Sequence, residues 1–233
     1  MRSAIILAAG KGTRMKSALN KVMHPVSNKP MIGHIVCSLR KAGVDNIVVV
    51  VGHGAESVRE YLGDSVRYAV QEPQLGTGHA VMQAQCLADL DGDTLILNGD
   101  GPCIQSETID RVFAANADSE MTVLTAVLPD GERYGRIIRN AEGYVERIVE
   151  AKDCTPQELA VTEINTGIFC FKNRLLFAHL KEIRNDNAQQ EYYLTDLVAI
   201  FNQCGLRVNA LVADDPQETM GVNDRIDLAK AQK

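Results

Sequence analysis

No acidic side chain occurs before Asp45. Eight cations precede it (Arg2, Lys11, Arg14, Lys16, Lys21, Lys29, Arg40 and Lys41), which leaves 16 cations and 30 carboxylates for the remainder. The formal charge of −6 on 233 residues is thus a basic segment of +8 followed by an acidic one of −14. An acidic total argues against a nucleic-acid partner, whose binding proteins are usually basic. Transit peptides also lack acids, but they are amphipathic and rich in Ser. Here Ser3–Ala9 is a compact apolar run followed at once by Gly10, Lys11 and Gly12. That run is too short for a signal peptide, and Lys11 stands where a small cleavage residue belongs. No stretch approaches the roughly 18 apolar residues that a bilayer crossing needs. The expectation is a mature cytoplasmic chain without a membrane partner.

Also missing are paired cysteines and metal-type histidine spacings. The six cysteines (37, 86, 103, 154, 170 and 204) include no C-x-x-C pair, and the five histidines form no H-E-x-x-H. Small buried thiols in a reducing compartment account for such scatter. No internal repeat, low-complexity tract or Pro/Ser-rich linker interrupts the chain.

What is present is an alternation of short apolar runs with helical periodicity. Residues 3–9, 46–51, 66–70, 94–97 and 121–127 read as strands, several apolar on both faces as buried parallel strands are. Between them, 31–42, 55–62, 79–87 and 106–115 read as helices, the last with Ser106 as its cap. In the first of these, Ile32, Ile35, Val36 and Leu39 keep i, i+3, i+4, i+7 spacing. After about Tyr134 the pattern turns to short strands near 136–139, 144–149 and 166–171. Helices near 173–183 and 194–203 and a strand at 207–212 follow. The fold class expected is α/β, a Rossmann-like, mixed but mainly parallel sheet with helices on both faces.

Open α/β sheets bind ligands beyond the carboxyl ends of their strands. Two ends stand out: Gly10–Lys21, and Gly99–Asp100 after the 94–97 strand. The first holds two glycines and four cations in twelve residues, with no acid. Glycines allow backbone N–H groups to approach phosphate oxygens, Arg14 can grip them bidentately, and Lys21 adds a point charge. Polyphosphate suits such a loop. A Walker A loop is not spelled here, and a dinucleotide fingerprint would want glycine at Met15 and an acid before Asp45.

The run Leu7–Met15 (LAAGKGTRM) resembles the signature loop of nucleotidyltransferases that join sugar 1-phosphates to nucleoside triphosphates. Gln71–Ala80 (QEPQLGTGHA) is similar to the uridine-reading loop of the bacterial bifunctional N-acetylglucosamine-1-phosphate uridylyltransferase/glucosamine-1-phosphate acetyltransferase family. Gly52–Gly54, Tyr134–Ile137, Val149–Asp153, Glu163–Gly167, Glu191–Asp196 and Gly221–Arg225 follow in that family's order. The resemblance implies a nucleotide-diphospho-sugar transferase fold of GT-A-like type. It implies Mg²⁺-dependent transfer of UMP from UTP to N-acetylglucosamine 1-phosphate, giving UDP-N-acetylglucosamine and pyrophosphate for cell-wall precursors. It also implies roles for single residues. Leu7, Ala8, Ala9, Gly10, Gly12 and Thr13 would line the nucleotide, with Arg14 and Lys21 as the catalytic cations. Gln71 and Gly76 would read uracil, and Thr77 would lie near nucleotide and sugar. Asn98, Gly135, Glu150 and Asn165 would face the sugar. Asp100 and Asn223 would hold Mg²⁺, whose hard oxygen preference one carboxylate and one amide oxygen can serve.

Read without the resemblance, several of these residues keep a second reading. Asp100 could close a strand-end turn, and Asn223 could cap the helix that follows it. Glu150 beside Lys152 and Asp153 could be a solvated charge cluster, and Asn165 is ambiguous. Transfer of another nucleotide to another sugar phosphate, or a catalytically silent nucleotide sensor, are the alternative functions. The chain also departs from the family. Asn20 replaces the proline before the lysine, an exchange expected to loosen Lys21. Asn98, Gly101 and Cys103 replace the family's usual residues around Asp100. One domain is expected over 1–233: a nucleotide half to about 130, a sugar half to about 220, and a helix over 221–233. The family's C-terminal left-handed β-helix, which carries acetyl transfer and trimerisation, would begin after about 230 and is expected to be absent. The oligomeric state therefore stays open.

Overall fold

The computed structural model describes residues 1–131, 133–187 and 189–232. An interior strand of its sheet is β1 (Arg2–Ala8), buried from Ser3 to Ile6 because the run is apolar and covered on both sides. On one flank β1 pairs in parallel with β4 (Asn46–Val51), which pairs with β5 (Arg67–Val70). On the other flank it pairs in parallel with β6 (Asp93–Asn98). The antiparallel β10 (Glu163–Lys172) comes next, then β7 (Met121–Val127) and β11 (Val208–Val212). The strand order β11-β7-β10-β6-β1-β4-β5 is therefore mixed but mainly parallel. A β8–β9 hairpin (Arg136–Arg139, Val145–Val149) joins it through Ile164 of β10, and a small hairpin, β2 (Pro25–Val26) with β3 (Lys29–Pro30), stands apart.

Helices cover both faces, as the α/β alternation predicts. One face receives α1 (Met31–Lys41), α2 (Ala55–Leu62) and α4 (Ser106–Ala115) through Ile32, Ile35, Leu39, Val58, Leu62, Ile109 and Val112. The other receives α3 (Thr77–Met82), α6 (Asn173–His179) and α7 (Asp196–Gln203) through Val81, Leu176, Leu197, Val198 and Phe201. Val48 to Val51 are fully buried between these layers, each contributing roughly 1.5–3 kcal/mol relative to exposure. Two short elements complete the chain: α5 (Pro156–Leu159), started by a Thr155–Glu158 capping box, and α8 (Arg225–Ala231).

Several boundaries differ from the sequence reading, each for a local reason. The helix expected over 79–87 starts earlier, at Thr77, and ends at Met82; Ala84, at ψ 38°, leaves only a 3₁₀ turn over Gln85–Leu87. The helix expected over 173–183 tightens into a 3₁₀ turn at Leu180–Glu182. Ser106 does not cap α4: Gln105 holds the cap position, and the Ser106 hydroxyl donates to Glu107. The strand placed at 166–171 runs over the whole of β10, with a register shift between Asn165 and Ile168. Asn223 is not the cap of the last helix either. Asp224 is, accepting from the backbone of Ile226 and Asp227. That frees the Asn223 amide for other partners.

Candidate active site

The strand order reverses at β1. Its carboxyl end lies level with those of both neighbours, Leu7 opposite Asn98 and Ala8 opposite Val51. The loops leaving these ends therefore open into one crevice, the switch point of the sheet. Gly10 to Lys21 follows β1, Gly52 to Gly54 follows β4, Gln71 to Gly76 follows β5 and Gly99 to Asp100 follows β6.

Arg14 and Lys21 reach this crevice from the first loop. Thr13–Met15 forms one 3₁₀ turn carrying Arg14, and Lys21–Met23 forms a second. Gly12 precedes the first turn at φ 59°, where a Cβ would stand 2.6 Å from the Lys21 Cβ. Only glycine allows the chain to turn that close beneath the lysine. The Lys21 ammonium pairs with the Asp100 carboxylate and donates to Asn223 Oδ1 at 3.1 Å. Arg14 donates to the same Asn223 oxygen at 2.9 Å. The Asn223 Nδ2 donates to Gly221 O at 3.1 Å, which orients the amide with its oxygen toward both cations. Gly221 lies close against Asp100, and Val222 N donates to Asp100 O at 2.8 Å. Arg225 binds the carbonyls of Met15 and Lys16, at 3.2 Å each, and so ties the last helix to the cationic loop.

Two hard oxygens, Asp100 Oδ2 and Asn223 Oδ1, therefore converge on one point where a cationic group already sits. A carboxylate with an amide oxygen at the mouth of the crevice is a donor set that fits a Mg²⁺ that keeps several waters. Among the described residues one grouping of His, Cys and carboxylate side chains, His179, Glu182 and Cys204, lies elsewhere, on α6, its following turn and the end of α7.

Beside this point is a cavity of about 340 Å³, lined in part by Leu7, Thr77, Asn98, Glu150, Asn165 and Gly167. The exits of β1 and β6 meet the irregularity in β10 here. Its shifted register brings Gly167 so close to Asn98 that a Cβ would stand 2.6 Å from the Asn98 amide nitrogen. Asn165 Oδ1 accepts from Gly167 N at 3.0 Å, and Asn165 N donates to Gly135 O at 2.8 Å. Loss of water along the cavity wall raises the Glu150 carboxyl pKa; Lys152 opposes that rise and Asp153 adds to it. The Thr77 hydroxyl accepts from Leu194 N at 3.0 Å.

The Gln71–Gly76 loop is closed on itself. Gln71 is 4% exposed, and its Nε2 donates to Gly76 O at 2.9 Å and lies 3.2 Å from His79 Nδ1. Gln74 Nε2 donates to Ala9 O at 2.8 Å, fastening this loop to the end of β1. Gly10 and Thr13, by contrast, lie exposed on the rim.

Some lining residues carried no assigned role in the sequence. Gln189, Tyr193 and Thr195 reach the cavity from the segment around the EYYLTD motif. Tyr134, within the YGRI motif, lines a small neighbouring pocket of about 110 Å³ with Asn98, Asp100 and Asn223. Burial raises its phenol pKa, with Arg133 opposing. Their motifs were visible, but which side chain faces inward depends on loops that have no period to read.

The nucleotidyl transferase family model matches residues 3–215. The chain belongs to that family. This nucleotidyl transferase is 54% identical over 235 residues to the bifunctional protein GlmU of Limosilactobacillus reuteri, a match covering 100% of the chain and 52% of that protein. To GlmU of Brevibacillus brevis it is 53% identical over 232 residues, covering 98% of the chain and 50% of the relative. It thus spans about half the length of the curated relatives it matches. In fold it resembles a Bacillus anthracis protein assigned as a glucose-1-phosphate thymidylyltransferase, in complex with sucrose. That likeness has a TM-score of 0.79 at 22% identity and covers 100% of this chain and 94% of the other. HddC of Yersinia pseudotuberculosis, complexed with GMP-PN, aligns with a TM-score of 0.73 at 20% identity, covering 100% and 98%. No helix among the described residues is long and apolar enough to cross a membrane.

Proposed function

We propose that this nucleotidyl transferase moves UMP from UTP to N-acetylglucosamine 1-phosphate, releasing pyrophosphate and UDP-N-acetylglucosamine for cell-wall precursors in the cytoplasm. The observation that carries the reading is the meeting of Arg14, Lys21, Asp100 and Asn223 beside a cavity whose lining includes Thr77, Asn98, Glu150 and Asn165. The likeness to GlmU relatives supports the choice of sugar and base.

In this reading a phosphate oxygen of the sugar 1-phosphate attacks the α-phosphorus of UTP. The new P–O bond forms as the bond between the α-phosphorus and the bridging oxygen to the β-phosphate breaks. No general base is required, because the attacking phosphate is already anionic near neutral pH. Catalysis then consists of alignment and charge neutralisation. Backbone N–H groups around Gly10, Gly12 and Thr13 approach the triphosphate, with Leu7, Ala8 and Ala9 forming the floor beneath it. Arg14 and Lys21 offset charge gathering on the departing pyrophosphate. Gln71 and Gly76 receive the uracil, and Thr77 stands between nucleotide and sugar. Glu150, Asn165, Gly135 and Asn98 hydrogen-bond or pack against the amino sugar. Asp100 and Asn223 would hold Mg²⁺, which when bound neutralises phosphate oxygens and fixes their geometry.

The decisive experiment measures pyrophosphate release across a panel of nucleotides and sugar 1-phosphates, with and without EDTA. Fastest release with UTP and N-acetylglucosamine 1-phosphate, abolished by EDTA, is the expected result. Release favouring another pair would change the substrate. Tight UTP binding without any release would leave a nucleotide sensor.

A further inference from the structure

Asn20 belongs to none of the groups assigned a chemical task, yet it is 8% exposed at the edge of the active site. Its side chain satisfies three separate backbone groups. Oδ1 accepts from Val22 N at 3.1 Å, which caps the 3₁₀ turn that begins with Lys21. Nδ2 donates to His53 O at 2.7 Å and to Gly54 O at 3.3 Å, in the loop after β4. Its own carbonyl accepts from Met23 N at 3.0 Å, which closes the same turn.

The loop it grips is itself held by the nucleotide loops. A Cβ on Gly52 would stand 2.8 Å from Gln74 Nε2 and 3.0 Å from Ala9 O, and Gln74 donates to that Ala9 carbonyl. One side chain thus joins the lysine turn to the segment packed against both the β1 exit and the 71–76 loop. The residue expected from its sequence alone to loosen Lys21 makes the contacts that fasten it.

Resting on the uridylyltransfer reading above, we infer that Asn20 is a positioning residue, which sets Lys21 against Asp100 and the triphosphate by pinning its turn to the 52–54 loop. It touches no reacting atom. Its effect passes through Lys21, whose ammonium must sit within hydrogen-bond reach of a phosphate oxygen to neutralise it. Small misplacements of such a group cost rate steeply, up to about 100-fold for about 1 Å. Asn20 adopts φ −53° and ψ 137°, angles that proline also adopts. Its backbone N–H donates no hydrogen bond to the described residues. A proline ring can therefore hold this backbone without the side-chain contacts.

The test compares the wild-type chain with Asn20→Ala and Asn20→Pro, each first checked for folding by circular dichroism and thermal melting. Two readouts are taken: amide hydrogen exchange at Val22, and steady-state pyrophosphate release from UTP and N-acetylglucosamine 1-phosphate. In Asn20→Ala the Val22 amide exchanges faster by about tenfold or more. In the same variant kcat falls by about tenfold while KM for UTP changes far less. Asn20→Pro restores the backbone angles but not the bonds to His53 and Gly54, so it recovers only a minor part of the lost kcat. Unchanged Val22 exchange in Asn20→Ala would overturn the inference, as would full recovery of kcat in Asn20→Pro. A wild-type chain that releases no pyrophosphate would defeat the substrate reading, and Val22 exchange would then decide the role of Asn20 alone.

Discussion

The Lys21 ammonium donates to the Asn223 side-chain oxygen at 3.1 Å across 202 residues of sequence. The same oxygen accepts from Arg14, so the two cations of the first loop are indexed to one amide near the end of the chain. The Lys21 side chain is mostly buried and also pairs with the Asp100 carboxylate, while Arg14 stays exposed. A positive site built this way is ordered before substrate arrives, which is what electrostatic catalysis requires.

On the proposed function, replacing Lys21 removes a charge that offsets the departing pyrophosphate. Lys21→Ala is expected to lower kcat by about 100-fold or more, with a smaller change in KM for UTP. Lys21→Arg should recover only part of that, because a planar fork does not fit the space of a compact ammonium. Steady-state pyrophosphate release checks both.

Metal dependence should follow the oxygen donors. Asp100→Ala is expected to abolish rate at millimolar Mg²⁺, and Asn223→Ala to raise the Mg²⁺ concentration needed for half-maximal rate by about tenfold. EDTA should silence the wild type, and added Mg²⁺ should restore it. An Asp100→Ala variant with full metal-dependent rate would remove the metal assignment.

Gly76 adopts φ 100°, and a Cβ there would stand 2.6 Å from Tyr192 O. Gly76→Ala therefore strains the backbone and pushes on the loop that holds Gln71, at a cost of about 1–3 kcal/mol. The expected result is a lower melting temperature and a KM for UTP raised by about tenfold, the larger share of the effect falling on nucleotide binding. Thermal melting and initial-rate kinetics separate the two contributions.

Glu163 heads β10 and receives two hydrogen bonds from Arg139, at 2.7 and 2.8 Å, and one from Thr125 at 2.6 Å. Burial alone would raise its carboxyl pKa, but these donors outweigh it and hold the group below 4.5. The folded value is thus depressed. The associated stability is complete above the unfolded value and is lost as pH falls through the folded one. Glu163→Gln should cost about 2 kcal/mol at pH 7 and progressively less in acid. Urea denaturation of both proteins at pH 7 and below pH 4 checks the sign.

Much of the molecule can be read from the chain before it folds. The apolar runs at β1, β4 and β6 announce buried parallel strands, because a run apolar on both faces has nowhere to go but between two layers. The glycines and cations after β1, with no acid to cancel them, mark a basic loop at a strand end. These signals are local, carried by periodicity and by residue type at a strand end. The tertiary structure decided what no local signal could. The β10 register shift sets Gly167 against Asn98 and helps close the cavity. Asn223, which sequence also allowed as a helix cap, gives that task to Asp224 and turns its oxygen to Lys21 and Arg14. Asn20 fastens Lys21 to a loop more than 30 residues away. Such pairings depend on where distant segments stop relative to one another. Packing of the whole sheet determines that, and no single stretch of sequence contains it.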